Sequence, residues 1–427
     1  MKTRLLFKGG QQLNGEIVPG GAKNSVLFLI CASLLFEERV TITNVPQISD
    51  VDNILVILNK MGVSCNYDIC EKRIDITGQK NLSSEFPEHL AGKTRGSLFL
   101  MIPLIRKYRE IKIPFSGGDK IGERKIDELY RVLSLMGVKK EIDDKFIYLS
   151  RTSDLIPQDI QFTHISHSVT LATVMLLASL DMNKGIEVRN IYQGIELDNL
   201  IELLEAGGAT IERNSSRITI QGVNSLKQAS IETVPDRVEL GSYILGGIAT
   251  RGTVFTRKRY FEFLDSSFVD TISSIGCEVI EKNDYIFFKI GNPFQHFGVI
   301  ADNKGGFHSD LQNLLIPIAS LCNDKSIITD CVFDNRFRQY DDYVKAGVLC
   351  EISENSMKIY PSKLNKGDQY FFANDIRGGF SLIILGLILS TTSNICIDNS
   401  QVIIRGYERI VEKFRDLGVE IREEVIQ

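Results

Sequence analysis

Residues 114–127 place Asp119 among Lys120, Arg124 and Lys125, with Gly117, Gly118 and Gly122 around it. Glycine lacks the Cβ that forbids positive φ, so this backbone can bend sharply while its cations face an anion. That composition suits a lid over a phosphate or carboxylate; a solvated surface turn would use the same residues for no such task. Further cations recur along the chain at Lys23, Arg95, Arg124, Arg237, Arg336, Arg377 and Arg405. The planar arginine fork matches carboxylate and phosphate. A substrate bearing both groups, or two anionic substrates, accounts for such a set better than separate structural pairs with carboxylates such as Asp236, Asp334 or Asp375.

Two other signals carry less. Ala91-Gly-Lys-Thr94 has the tail of a phosphate-binding P-loop, but the position that requires the first glycine is Pro87. His164 and His167 are spaced like a metal pair, yet no third ligand is evident, so no metal and no cofactor are expected. The balance of 49 Lys+Arg against 54 Asp+Glu gives a net charge of −5. This is the wrong sign for a protein that coats nucleic acid or a membrane surface, and any anion site must be local. The eight cysteines are scattered without CxxC or Cys/His spacing and read as reduced core residues. The N-terminal apolar run is too short for a secretory signal. The apolar stretches 25–36 and 380–389 fall short of the ~20 residues of a membrane span. A cytoplasmic protein is expected, a monomer or weak homo-oligomer.

The elements that must position these residues repeat. Leu58-Asn-Lys-Met-Gly62-Val63 returns as Leu133-Ser-Leu-Met-Gly137-Val138 and Leu204-Glu-Ala-Gly-Gly208-Ala209, and again around Gly276, Gly347 and Gly418, about every 70 residues. Each glycine stands where a helix ends in a left-handed residue, and the alternation after it predicts a strand. Earlier in each unit a polar head precedes an apolar helix: Lys23-Asn24 before 25–35, Arg95 before 96–105, Ser166 before 169–180. In the second half the heads are Asp236-Arg237 before 241–249, Asp310 before 311–321 and Asp375-Ile-Arg377 before 378–389. Helices apolar nearly all round are buried, whereas a doubly wound sheet predicts striped ones. Two domains of three units each follow, with helix starts that favour anions facing a cleft.

The motifs Gly21-Ala-Lys23-Asn24, Asn44-Val-Pro-Gln-Ile-Ser-Asp50-Val-Asp52, 117–124, Pro235-Asp-Arg237, Phe307-His-Ser-Asp310-Leu-Gln312, Asp334-Asn-Arg336-Phe and Arg405-Gly-Tyr-Glu-Arg409 run in order over essentially the whole chain. In combination the sequence resembles the UDP-N-acetylglucosamine enolpyruvyl transferase (1-carboxyvinyltransferase) family. The resemblance implies an α/β fold, the inside-out α/β barrel, of two domains each built of three βαβαββ units. One domain would hold residues 1–21 plus 234–427, the other 22–233 with the lid 114–127. The implied reaction moves the enolpyruvyl group of phosphoenolpyruvate to a sugar hydroxyl and releases phosphate, the first committed step of peptidoglycan precursor synthesis.

Carried over position by position, the resemblance makes Asp119 the proton donor. Lys23, Asn24, Arg124, Arg336, Arg377 and Arg405 would hold phosphoenolpyruvate. Asp310 would hold the sugar hydroxyl and take its proton. Arg95, Arg124, Lys125, Ile126, Asp127, Glu128, His164, Ile165, Ser166, His167 and Val332 fall at positions that contact the nucleotide sugar. The sequence departs from the family's usual pattern in four places. Asp119 replaces the common cysteine, a known natural variant that implies fosfomycin resistance. Ser166-His167-Ser168 replaces Ser-Val-Gly, Lys125 replaces a proline, and Leu129 replaces a histidine. The last three bear on the acceptor, so a paralogue using another nucleotide or nucleotide sugar stands as the alternative. A non-catalytic binding protein is a third reading, against which Lys23, Asp310 and Arg405 are all present.

Overall fold

The structure, a computed structural model, describes residues 2–91, 95–114, 126–182, 184–214, 216–291 and 293–426. The described residues divide into two units: one contains those up to Gly20 and from Pro235 onward, the other those between Gly21 and Val234. Each has its own apolar core, and no residue belongs to both.

The apolar helices are enclosed, as their lack of a polar face requires. Lys23–Ser33 is buried from Ser25 onward, His167–Ala178 from Ser168 onward, Arg237–Ala249 throughout and Ile376–Ile388 as far as Leu387. The other two are broken rather than continuous. Residues 95–107 form the 3-10 turn Arg95–Leu100 and the helix Met101–Lys107, and 309–319 form Ser309–Gln312 and Leu315–Ala319. Pro103 and Pro317 are the cause, since proline offers no N–H to the carbonyl four residues back and crowds it. The carbonyl that Pro317 leaves, that of Asn313, accepts instead from Ser381 Oγ at 2.8 Å.

Strands cover these helices in six sheets, none closed on itself among the described residues. In the unit from Gly21 to Val234, Val40–Thr43 pairs parallel with Ala229–Glu232 and antiparallel with Arg73–Thr77, which pairs antiparallel with Ser64–Asp68. Ile74 and Ile76 point inward at 0 % exposure while Arg73, Asp75 and Thr77 point out. The same parallel, antiparallel, antiparallel order builds the sheet around Ile186–Arg189. In the other unit it builds the sheets around Val254–Arg257, Ser326–Asp330 and Asn394–Asp398. In the sixth sheet Glu110–Pro114 and Lys139–Ile142 flank Phe146–Ser150, and the parallel neighbour shrinks to one bridge, Glu85 to Lys112.

All six repeat glycines have positive φ, between 87° and 108°. At five of them the next amide closes back on the carbonyl five residues before it, as Val63 does on Leu58 at 3.0 Å and Val419 on Phe414 at 2.9 Å. This is the bond pattern by which a left-handed residue ends a helix.

The chain passes between units at Gly20–Gly21 and Val234–Pro235. Gly20 N–H donates to Glu239 Oε2 at 2.6 Å and its carbonyl accepts from Asp236 N–H at 2.8 Å. On the other side Ala22 N–H donates to the Val234 carbonyl at 2.7 Å, and a Cβ on Gly21 would lie 1.8 Å from the Asn44 carbonyl oxygen. Among the described residues no helix is long and apolar enough to cross a membrane.

Candidate active site

Lys23 opens its helix, and its Nζ lies 2.8 Å from Asp50 Oδ2. Asp50 is 2 % exposed on the first turn of Ser49–Lys60, so a buried carboxylate fixes where the ammonium sits. Asn24 follows in the same turn. The turn itself is rooted: Ser25 Oγ donates to Asn199 Oδ1 at 2.6 Å, and Asn199 Nδ2 donates to the Glu232 carbonyl at 2.9 Å.

In the same unit Asp127 and Glu128 form the first turn of Asp127–Leu135. The Glu128 carboxylate accepts from Arg131 Nε and Nη2 at 3.1 and 2.7 Å, and from the Thr163 amide and hydroxyl at 3.0 and 2.9 Å. Burial alone would raise this carboxyl, but the Arg131 guanidinium and the Thr163 donors outweigh it and hold it down at about 2. Glu128 therefore ties 126–128 to the run from His164 to His167. Ile126 and Ile165 are partly buried and His164 is exposed; Ser166 precedes the helix His167–Ala178 without a side-chain cap bond. The His167 ring packs edge to face against Phe28 at 5.5 Å and Tyr192 at 4.9 Å. Asp119, Arg124 and Lys125 lie outside the described residues, as does the side chain of Arg95, which opens its 3-10 turn. No group of three His, Cys, Asp or Glu side chains suited to a metal occurs among the described residues.

In the other unit one carboxylate is gripped by two guanidiniums. Asp310 Oδ1 accepts from Arg336 Nη2 at 2.7 Å, and Oδ2 accepts from Arg377 Nε and Nη2 at 3.3 and 3.2 Å. The arginine side chains are 2 % and 4 % exposed and the Asp310 side chain 19 %, so the carboxylate is the most exposed member of the trio. Burial works against the charge on Arg336, yet the Asp310 carboxylate beside it wins and its pKa is raised.

The cluster's supports are buried too. Asp330 Oδ2 accepts from Ser309 Oγ at 2.6 Å and Gln312 Nε2 at 3.1 Å, while Oδ1 accepts the amides of Val332 and Phe333 at 2.7 and 2.8 Å. One carboxylate thus fixes both the Asp310 turn and the loop bearing Val332. Asn313 Nδ2 holds the Arg336 carbonyl at 3.1 Å. Asp375 caps the helix of Arg377 by accepting the amides of Arg377 and Gly378 at 3.0 and 2.8 Å, and Asp236 caps the Arg237 helix in the same way. Arg237 forms an ion pair with Asp265. Arg405 follows the turn Gln401–Ile404 in helical conformation.

Asp310, Arg336, Arg377 and Val332 are therefore gathered in one unit. Lys23, Asn24, Ile126 to Glu128 and His164 to His167 are carried by the other. Sequence reasoning missed Asp50, Asp330 and Thr163 as positioning groups. Asp50 stood inside a quoted motif, whereas nothing local marks Asp330 or Thr163.

Buried helices under repeated small sheets, with cations and carboxylates at helix starts, make the frame of an anion-handling transferase. The sequence profile of the EPSP synthase (3-phosphoshikimate 1-carboxyvinyltransferase) family matches residues 7–414, and the chain belongs to that family of enolpyruvyl transferases. UDP-N-acetylglucosamine 1-carboxyvinyltransferases from Brucella ovis and Brucella canis are each 29 % identical to it over 431 residues, covering 98 % of this chain and 99 % of the relative. The enolpyruvyl transferase NikO from Streptomyces tendae shares the fold with a TM-score of 0.86 at 18 % identity, covering 99 % of both chains. EPSP synthase from Acinetobacter baumannii does so with a TM-score of 0.71 at 15 % identity, covering 100 % of both.

Proposed function

We propose that the protein transfers the enolpyruvyl group of phosphoenolpyruvate to a hydroxyl of UDP-N-acetylglucosamine and releases phosphate. The observation that carries this reading is the Asp310 carboxylate, 19 % exposed, gripped between buried Arg336 and Arg377. The full-length likeness to UDP-N-acetylglucosamine 1-carboxyvinyltransferases supports the acceptor. The acceptor oxygen adds to C2 of phosphoenolpyruvate as its proton passes to Asp310, and Asp119 protonates C3. Loss of a C3 proton back to Asp119 with cleavage of the C2–O bond to phosphate then restores the double bond, and the departing phosphate takes up the proton held by Asp310. The reaction needs an acid, a base and cations for two anionic groups, and Asp119, Asp310 and the set Lys23, Arg124, Arg336, Arg377 and Arg405 supply them. In the same reading Asn24 joins the phosphoenolpyruvate site. Arg95, Lys125, Ile126 to Glu128, His164 to His167 and Val332 serve the nucleotide sugar. Each unit is taken as three βαβαββ repeats of an inside-out barrel.

The second reading, another nucleotide or nucleotide sugar as acceptor, is favoured by His167. Its ring packs against Phe28 and Tyr192 where the family resemblance puts a smaller valine. Phosphate release from phosphoenolpyruvate, measured against a panel of nucleotides and nucleotide sugars, tests both. Turnover with UDP-N-acetylglucosamine supports the first; turnover only with another acceptor replaces it with the second; no release with any acceptor overturns both.

A further inference from the structure

We propose that Tyr407 is a positioning residue for Arg377, meeting the guanidinium with the face of its ring and so holding the opposite edge on Asp310. The inference rests on the role given above to Arg377 and Asp310. The guanidinium carbon of Arg377 lies 4.9 Å from the centre of the Tyr407 ring. Its Nε and Nη2 serve Asp310, while the buried Nη1 makes no hydrogen bond of good geometry, and Tyr407 is among the neighbours that stabilise the guanidinium's charge. A buried guanidinium N–H without a well-aligned acceptor is costly, and the electron-rich face of a fixed aromatic ring is the partner that offsets it.

The ring is fixed on its other sides. Tyr407 is 0 % exposed and stacks on Phe380 with centres 4.4 Å apart and planes 30° from parallel. Its hydroxyl lies 2.8 Å from Ser242 Oγ, which donates to the Val238 carbonyl at 2.6 Å, so Tyr407 donates to Ser242. Two buried helices, Arg237–Ala249 and Ile376–Ile388, thus hold the ring that faces Arg377. Gly406 keeps the approach open, since a Cβ there would stand 2.6 Å from Ile376 Cγ2 and 3.6 Å from Arg377 Nη1. Core packing alone would explain the stack on Phe380 but not an aromatic ring placed 4.9 Å from a buried guanidinium that grips Asp310.

The test uses the full chain and compares Tyr407→Leu, Tyr407→Phe and Phe414→Leu by steady-state kinetics and thermal melting. Phe414 belongs to the same aromatic cluster, 5.5 Å from Phe380, and serves as the packing control. Tyr407→Leu should raise KM for phosphoenolpyruvate about tenfold, the size of a desolvated cation–π contact. Tyr407→Phe should restore most of that loss, and Phe414→Leu should lower the melting temperature with KM unchanged. If Tyr407→Leu does not fold, Tyr407→Met, which fills the space without a ring, takes its place with the same expectation. An unchanged KM without the ring, an equal rise in Phe414→Leu, or no recovery in Tyr407→Phe overturns the proposal. A wild-type protein that releases no phosphate with any acceptor overturns instead the functional reading beneath it.

Discussion

Asp310 carries two loads, one chemical and one structural, and they can be separated by substitution. Removing the carboxylate takes from buried Arg336 and Arg377 the one counter-charge that both contact, leaving only the less direct pull of Asp330, Asp375 and Asp236. Asp310→Ala should therefore lose about 3 kcal/mol of stability in urea titration, the usual cost of stranding buried charge. Asp310→Asn keeps the shape and an acceptor oxygen for one arginine, so it should lose less stability. Without a base, its phosphate release should still fall by about 100-fold or more. A variant with wild-type turnover would remove Asp310 from the chemistry. Asp119 supports a second prediction. A thiolate opens the epoxide of fosfomycin, whereas a carboxylate is a far weaker nucleophile. The unmodified enzyme should keep full activity after incubation with fosfomycin, and Asp119→Cys should lose it with time. Inactivation of the unmodified enzyme would show that the drug reaches another nucleophile. The types of these residues were legible in the sequence, but their partners were not. Asp310 meets arginines 26 and 67 positions away, and no local pattern encodes such a pairing.

At the scale of elements, the helix that starts at Asp127 is moored to the segment before the His167 helix through Glu128. Its carboxyl is held at about 2, below its unfolded value of ~4.3. A depressed carboxyl contributes stability above the unfolded value and loses it as the pH falls toward the folded one. Glu128→Gln should thus cost about 1–2 kcal/mol at neutral pH, typical of a charge-assisted hydrogen-bond set. The gap between variant and wild type should close between about pH 4 and pH 2. A gap independent of pH in urea melts would mean that shape rather than charge holds the mooring. The six helix ends were readable because a left-handed residue before a strand demands glycine, and Gly62 to Gly418 all take that conformation. The breaks in the second and fifth buried helices were written in Pro103 and Pro317. The apolar runs around those prolines read as single helices because hydrophobic pattern reports burial and not backbone continuity.

At the scale of the molecule, the period of the glycines announces a repeated unit, and burial divides the chain into two cores of separate composition. The order of strands shows how the chain passes between them. Gly15–Glu16 and Ala229–Glu232 each precede a buried helix that belongs to the other unit, yet each pairs within the unit it leaves. No periodicity in one sequence reveals that exchange, because the repeats look alike whichever sheet receives the strand. Two cores joined, among the described residues, by two backbone crossings should not behave as a single cooperative block, since domains that bury their own apolar interiors commonly depart from two-state unfolding. Leu171 and Ile383 are both 0 % exposed, one in each core. Leu171→Ala and Ile383→Ala should each cost about 2–5 kcal/mol through the cavity left behind. In differential scanning calorimetry the wild type should show two transitions, with each variant lowering a different one and leaving the other in place. A single transition that both variants shift together would instead make the two cores one folding unit.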